Sequence, residues 1–298
     1  MAVIALMMTI SASAQFYIYY SDGTVAKVDS ISMVAPEEPT TPSAGIGVFS
    51  VAVGRTVTFS KGNLQYTQST NQWSFASAQY EVIGTDNVIG GNVSSNPIIG
   101  DGKEGTALAD KIDWFGWSTG SNNFGVCTST DYNDYLGSFV DWGTNKIGVD
   151  APNTWRTLTH DEWDYVVFDR PNAHWLKGVA QVNGVNGLIL LPDNWTYPAD
   201  ITVKTNFHSN DGVDYYAVYQ TFTADQWLKL EAAGAVFLPA AGFRSSSLVF
   251  LVQYSGLYWS ATEYKSGSAQ YFYFISSGAN LDDDTRCNGY SVRLVKDL

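Results

Sequence analysis

Between residues 254 and 273 the chain concentrates side chains that suit ligand binding. Tyrosines recur there among serine, glycine and glutamine, and Glu263 adds a carboxylate. Tyrosine rings give a large contact area at a small entropic cost, and nearby hydroxyl groups adapt their hydrogen bonds to a ligand. About half of these rings are expected in the core, Trp259 first among them. We predict a binding surface within 244–286, formed by Arg244, Tyr254, Tyr258, Glu263, Tyr264, Tyr271, Tyr273, Asp282, Asp284 and Arg286.

The segment NLDDDTR, residues 280–286, alternates oxygen-bearing side chains at Asn280, Asp282 and Asp284. Hard oxygen ligands of this kind make Ca²⁺ a candidate ion. The spacing is not that of an EF-hand loop, so a solvated acidic turn is the favoured interpretation. The sequence predicts no other cofactor.

The two cysteines, Cys127 and Cys287, leave two interpretations open. Outside the cytosol they could form a disulfide across a long loop. Two buried thiols fit the sequence nearly as well, since nothing in it brings the two residues together. Neither belongs to a C-x-x-C motif, so the spacing indicates no metal site.

The composition favours an extracellular, turn-rich domain. The 298 residues are 14% aromatic and 15% charged, and they include 27 glycines. This length suits one large domain, with room for a small appendage. The formal net charge of -13 argues against binding to nucleic acid and against electrostatic docking to anionic lipid.

The first residues have the pattern of a secretory signal. Residues 2–10 are a short apolar run, and Ala12-Ser13-Ala14 resembles a cleavage site. We predict a signal peptide at 1–14 and no membrane insertion after its cleavage, because the run is too short to span a bilayer. No Lys or Arg precedes the run, so the recorded start is interpreted as internal to a longer signal peptide. A buried strand or helix is the alternative.

Two further segments precede the main domain. Residues 15–34 predict a small β-hairpin, because Asp22-Gly23 is a strong turn signal between strand-like flanks. Residues 35–47 are rich in Pro, Thr and Gly and predict an exposed linker. The main domain is expected at 48–298.

Two helices in the main domain carry complete start signals. Thr159 with Glu162, and Thr223 with Gln226, each have the spacing of a capping box. Gly234 is a stop signal for the second helix. The predicted buried side chains are Trp163, Val166 and Val167 on the first helix, and Trp227, Leu228 and Leu230 on the second.

The rest of the domain has the pattern of strands and turns. Residues 48–83 predict several short strands, with one pair of strands in NQWSFASAQYEVIG, 71–84, and residues 84–106 predict a long loop. Continuous apolar runs predict strands in 186–195 and 234–244. Alternation in QYFYFIS, residues 270–276, places Phe272 and Phe274 on a core face and Tyr271 and Tyr273 on the other, which is either core or wet surface.

Three segments together resemble a known family. Residues 154–170, TWRTLTHDEWDYVVFDR, resemble the R-L-P-T-E-x-E-W-E-Y-A-A-R segment of formylglycine-generating, sulfatase-modifying-factor domains. The segments LYWSATEY, 257–264, and NGYSVRLV, 288–295, resemble endings of the Fibrobacter succinogenes major paralogous domain, which is common in surface proteins of Bacteroidetes. The matching positions in the first segment are Arg156, Leu158, Thr159, Glu162, Trp163 and Tyr165.

The resemblance implies an α+β, C-type-lectin-like fold across 48–298. Two helices would pack around a twisted, mostly antiparallel sheet, with long loops on one side. In lectin-like folds that serve recognition, the C-terminal part faces the ligand. The sugar-binding E-P-N or Q-P-D tripeptide of that fold is absent from the sequence.

The sequence therefore predicts a secreted or surface-displayed, non-enzymatic recognition domain whose partner is a host or bacterial surface protein or a glycan. One alternative is a copper-dependent oxidase of the sulfatase-modifying type. That chemistry relies on two neighbouring thiolates, which are the soft ligands that copper(I) prefers, and here Cys287 has no neighbouring cysteine in the sequence. A second alternative is a structural module of a surface or pilus assembly.

Overall fold

A computed structural model describes much of the chain. The described residues are 16–19, 25–28, 45–67, 69–82, 91–93, 111–119, 135, 137–205, 207, 219–245 and 248–298, and at 16–19, 25–28, 91–93, 111 and 248–249 the description is of the backbone alone. The predicted signal peptide, the Asp22-Gly23 turn, residues 35–44 of the predicted linker and Cys127 lie outside the described residues.

Contacts divide the chain into two units, Met1–Thr40 and Thr41–Leu298. In the first unit, strand β1 (Phe16–Tyr19) pairs antiparallel with β2 (Val25–Val28), so that Tyr19 lies opposite Val25.

The second unit is a mixed α+β structure in which strands predominate. The α-helices that the structure describes over their length are α1 (His160–Asp164), which continues into a single π-helical turn (Tyr165–Asp169), and α2 (Ala224–Ala232). Its strands are β3 (Ile46–Ala52), β4 (Arg55–Phe59), β5 (Leu64–Thr67), β6 (Gln72–Phe75), β7 (Gly91–Val93), β8 (Lys111–Ile112), β9 (Arg156–Thr157), β10 (Lys177–Val182), β11 (Val185–Leu190), β12 (Thr221–Phe222), β13 (Val236–Pro239), β14 (Phe243–Ser245), β15 (Leu248–Val252), β16 (Ser255–Lys265), β17 (Ser268–Ile275), β18 (Gly278–Thr285) and β19 (Leu294–Asp297).

The strands form several small sheets rather than one. Their orders are β12-β10-β11-β13, β14-β15-β7, β16-β17-β18, β3-β4-β19-β9 and β6-β5-β8. Of the strand pairs that the structure describes in this unit, β10 with β12 alone is parallel. The prediction of a mostly antiparallel α+β structure is confirmed at this level. Because β19 pairs with β4, the first and last strands of the unit lie in the same sheet.

Helix α1 begins where its sequence signal predicts. Thr159 accepts a hydrogen bond from the Glu162 backbone, and the Glu162 side chain accepts one from the Thr159 backbone at 2.9 Å, which completes the capping box. Glu162 also bonds Arg55 at 2.8 Å and Arg156 at 2.7 Å, so the helix start is tied to β4 and β9. The predicted core residues Trp163, Val166 and Val167 are all buried.

Helix α2 covers one face of the β10-β11-β13 sheet. Thr223 and Gln226 form the predicted capping box, and Gly234, at φ +97°, follows the C-cap. The Ala235 amide bonds the Leu230 carbonyl at 3.0 Å, and Gly234 bonds Glu231 at 2.8 Å, which together make a Schellman stop. Trp227 and Leu230 are buried as predicted.

Three of the local predictions were wrong. Leu228 was placed on the buried side of α2, but it is 59% exposed, because a single apolar stripe on this short helix is filled by Trp227 and Leu230. The predicted loop at 84–106 contains β7, which pairs with β15. In 71–82 a single strand, β6, stands where two were expected.

The apolar runs are continuous because both faces of the central strands are buried. In β11, Leu188 and Leu190 pack in one hydrophobic cluster with Trp163 of α1, whereas Ile189 packs in another with Trp227 of α2. A strand that is covered on both sides needs apolar residues at every position. The predicted strands in 186–195 and 234–244 are therefore confirmed as β11 and β13.

Candidate functional site

The β16-β17-β18 sheet positions most of the predicted binding residues. It is an antiparallel meander in which Tyr258 lies opposite Phe272, and Phe272 opposite Leu281. Residues directly opposite each other share a face. These three residues and Phe274 form the face that packs against α1, where the Trp163 ring stacks on Phe272 at 4.9 Å between centroids and 14° between planes.

The opposite face carries the feature that we call the tyrosine surface, composed of Tyr271, Tyr273, Asn280, Asp282 and Asp284. The register places Tyr271 opposite Asp282 and Tyr273 opposite Asn280. The two tyrosine rings are half-buried, with centroids 5.7 Å apart, whereas Asn280 and Asp282 are exposed. The predicted alternation of 270–276 is confirmed, and the sheet brings these side chains into one cluster.

Buried aromatic rings pack beside the tyrosine surface, on the same side of the sheet. Tyr290 lies with its ring centroid 4.9 Å from Tyr271 and 4.3 Å from Trp259, on which it stacks. Trp259 is wholly buried, as predicted. The Asp284 carboxylate accepts hydrogen bonds from the Tyr290 hydroxyl and from Asn288 Nδ2, the latter at 2.8 Å. The packed rings and the hydrogen-bonded Asp284 carboxylate hold the tyrosine surface in one geometry.

The electrostatics of the tyrosine surface keep the Tyr271 phenol protonated. Burial, with the negative charges of Asp282 and Asp284 as further causes, raises the pKa of Tyr271 above its ordinary value. Burial and Asp284 likewise raise the pKa of Tyr290. A protonated phenol donates a hydrogen bond, and a carboxylate accepts one. The cluster thus presents ring faces, donors and acceptors side by side, which suits binding of a polar ligand.

At the far end of β16, Arg286 holds Glu263 in place. The Arg286 side chain is wholly buried, pairs with the Glu263 carboxylate, and lies 4.4 Å from the Trp117 ring centroid. Its Nη1 and Nε bond the carbonyl oxygens of Tyr135 and Ser268, each at 3.3 Å. The positioned Glu263 carboxylate is exposed and lies opposite Ala269, on the same side of the sheet as Tyr271.

Three predicted binding residues are core residues instead. Tyr258, Arg244 and Arg286 are 0% exposed, so none can contact a ligand in this structure. The Tyr258 hydroxyl donates to the Pro239 carbonyl at 2.9 Å, and Arg244 exchanges two backbone hydrogen bonds with Gly289. Buried polar groups are retained where fixed partners satisfy them, and Arg286 has such partners in the carbonyls described above.

Two predicted tyrosines are exposed but lie apart from the cluster. Tyr254 is 52% exposed in the turn before β16, and Tyr264 is 45% exposed near the opposite end of that strand. The Lys265 ammonium lies 4.5 Å from the centroid of the Tyr264 ring. Tyr290 and Asn288, which support the surface, lie in the motif NGYSVRLV, but the sequence predicts no such role for them.

The acidic residues of β18 form a row rather than a cage. In an extended strand, side chains at alternate positions leave the backbone roughly 7 Å apart, so Asn280, Asp282 and Asp284 do not surround one point. Within the described part of the chain, no group of three or more His, Cys, Asp or Glu side chains is arranged to hold a metal ion. Cys287 is buried against Tyr135.

Among the described residues, no helix has both the length and the apolar character needed to cross a membrane. Comparison with known proteins finds no matching family model, no matching curated protein and no matching solved structure.

Proposed function

We propose that this chain is a secreted or cell-surface, non-enzymatic recognition domain with a C-type-lectin-like fold. Its partner is a protein or a glycan of a host or bacterial surface, bound through the tyrosine surface. One observation carries the proposal: Tyr271 and Tyr273 lie beside Asn280 and Asp282 on one face of a sheet whose other face is fixed against α1.

The fold part of the proposal rests on three segments that resemble the sulfatase-modifying and Fibrobacter families. In chain order, α1 begins within the first segment, β16 contains the second, and β19 begins within the third. The mostly antiparallel strands and the two capped helices agree with the architecture that the resemblance implies.

The ligand part of the proposal rests on the chemistry of the tyrosine surface. Half-buried rings give apolar contact area without the entropic cost of ordering a flexible side chain. The exposed Asp282 carboxylate accepts hydrogen bonds from hydroxyl, amide or ammonium groups, and the Asn280 amide both donates and accepts. Sugar hydroxyls and polar protein side chains supply the complementary groups.

A glycan and surface-protein binding screen with the intact chain tests the proposal. The test variant carries Tyr271→Ser and Tyr273→Ser, and the matched control carries Tyr197→Ser, which alters a 50% exposed tyrosine outside the surface. We expect the test variant to bind at least about tenfold more weakly than the wild type, as for loss of a central aromatic contact. The control should bind as tightly as the wild type. Circular dichroism and thermal unfolding verify that both variants fold.

Equal binding by the wild type and the double variant would refute the proposed surface. Copper uptake that is abolished by Cys287→Ser would favour the oxidase alternative instead.

A further inference from the structure

The outer edge of β18 has an unusual hydrogen-bonding pattern. Among the described strands, β17 is the single neighbour of β18. The two strands are joined by the two residues 276–277, and Ile275 lies opposite Gly278. In such a hairpin the two residues of the closing pair exchange backbone hydrogen bonds with each other. Every second residue pair after it does the same, so the hydrogen-bonded positions of β18 are 278, 280, 282 and 284. The amides between and after these positions, at Ala279, Leu281, Asp283 and Thr285, therefore point away from β17.

Three of these four outward amides, those of Leu281, Asp283 and Thr285, donate to the side chain of the residue before them. Leu281 N bonds Asn280 Oδ1 at 2.9 Å. Asp283 N bonds Asp282 Oδ1 at 2.9 Å. Thr285 N bonds Asp284 Oδ1 at 2.6 Å. We call this row of contacts the edge ladder.

The edge ladder occupies three of the four outward donors that an added strand would need. An exposed strand edge is normally a template for pairing with another chain. Here an incoming strand would have to displace three side-chain oxygens, two of them carboxylate oxygens. A second copy of the chain would also bring its own acidic β18, and like charges that lie opposite each other across a strand pair are unfavourable.

We propose that the edge ladder closes β18 to strand addition by a second copy of this chain. Pairing between copies through this edge is thereby suppressed. The inference stands on the strand register and the three hydrogen bonds, and it holds whether or not the tyrosine surface binds the proposed ligand.

The proposal is tested by the double variant Asn280→Ala and Asp282→Ala in the intact chain. Both side chains are exposed, so their loss leaves the core unchanged. Asp284 is kept because it also holds Asn288 and Tyr290. The matched control is Asp283→Ala. It removes a neighbouring negative charge but keeps the edge ladder, because the side chains that accept those hydrogen bonds belong to Asn280, Asp282 and Asp284.

Two measurements decide the outcome. Amide hydrogen exchange at Leu281 and Asp283 in dilute double variant should be about fivefold faster than in the wild type, the equivalent of about 1 kcal/mol for each lost hydrogen bond. Sedimentation should show concentration-dependent self-association of the double variant, with the same amides becoming protected as copies associate. The wild type and the Asp283→Ala control should show neither effect.

Unchanged exchange would mean that the edge ladder does not occupy these amides. No gain in self-association, or an equal gain in the Asp283→Ala control, would mean that the ladder does not exclude a second copy. Either result overturns the proposal.

Discussion

On one face of the β16-β17-β18 sheet, Phe272 stacks on the Trp163 ring of α1. On the other face, Tyr271 lies opposite Asp282 and Tyr273 lies opposite Asn280. Both faces are aromatic, and both come from the same alternating stretch of β17. They differ in what covers them. The first is sealed by a helix and belongs to one hydrophobic cluster, whereas the tyrosines of the second are half-buried against another cluster and bordered by the exposed Asp282.

This difference teaches that one strand can stabilise the fold and present a surface at the same time. The face that contains Phe272, which we call the Phe face, packs against α1 and fixes the backbone of β17. The fixed backbone sets the positions of the tyrosines. A hydroxyl group alone does not mark the outer face, because Tyr258 has one and is wholly buried on the Phe face. The cover provided by other elements distinguishes the two.

The largest expected effect comes from Trp163→Ala, on the sealed face. Removing a wholly buried tryptophan should lower the free energy of unfolding by about 3–5 kcal/mol. Tyr273→Ala should cost less than half as much, because that ring is only partly buried. Urea-induced unfolding, followed by circular dichroism, measures both. Similar losses for the two variants would remove the distinction between the faces.

A second tryptophan variant sharpens this test. The Trp163 indole N–H is buried and makes no hydrogen bond to the described residues. Trp163→Phe should therefore cost clearly less than Trp163→Ala, since it keeps a ring against Phe272 and loses no polar contact. An equal cost would indicate that shape at this position matters more than ring stacking.

A smaller effect on stability is expected from Glu263→Gln, on the same side of the sheet as the tyrosine surface. The change leaves the wholly buried Arg286 without its carboxylate, which should lower the free energy of unfolding by about 1–2 kcal/mol. Asp161→Asn is the matched control, because the Asp161 side chain is 98% exposed in its contact with His160 and exposed pairs contribute little. Equal losses in urea unfolding would show that Arg286 does not depend on Glu263.

Local signals predicted much of this scaffold. Thr159 and Thr223 each cap a helix start, and a capping box needs only four consecutive residues, so the local sequence predicts it. The burial of Phe272 is predicted by the alternation within its own strand. Tyr258 was misassigned because its burial depends on its register with β17 and on the arrival of α1, which the neighbouring residues do not encode. Arg286 was misassigned because its hydrogen-bond partners include carbonyl oxygens of residues far away in the sequence, such as Tyr135. The edge ladder depends on which amides of β18 face outward, which follows from the pairing rather than from NLDDDTR itself.

The smallest effect at neutral pH is expected from Tyr271→Phe, and it grows in alkali. The pKa of Tyr271 is raised in the folded protein, first by burial and then by Asp282, whereas in the unfolded chain the phenol ionises near pH 10. Above pH 10 the unfolded state therefore binds fewer protons than the folded state, and the free energy of unfolding falls as pH rises. The phenylalanine variant lacks this contribution, so the wild type should lose stability relative to Tyr271→Phe between pH 10 and the folded pKa. Urea unfolding at pH 8 and at several values above pH 10 measures the difference. If the difference in free energy of unfolding between the two proteins stayed constant across this range, Tyr271 would be as hydrated as an exposed tyrosine. The tyrosine surface would then be fully solvated rather than half-buried.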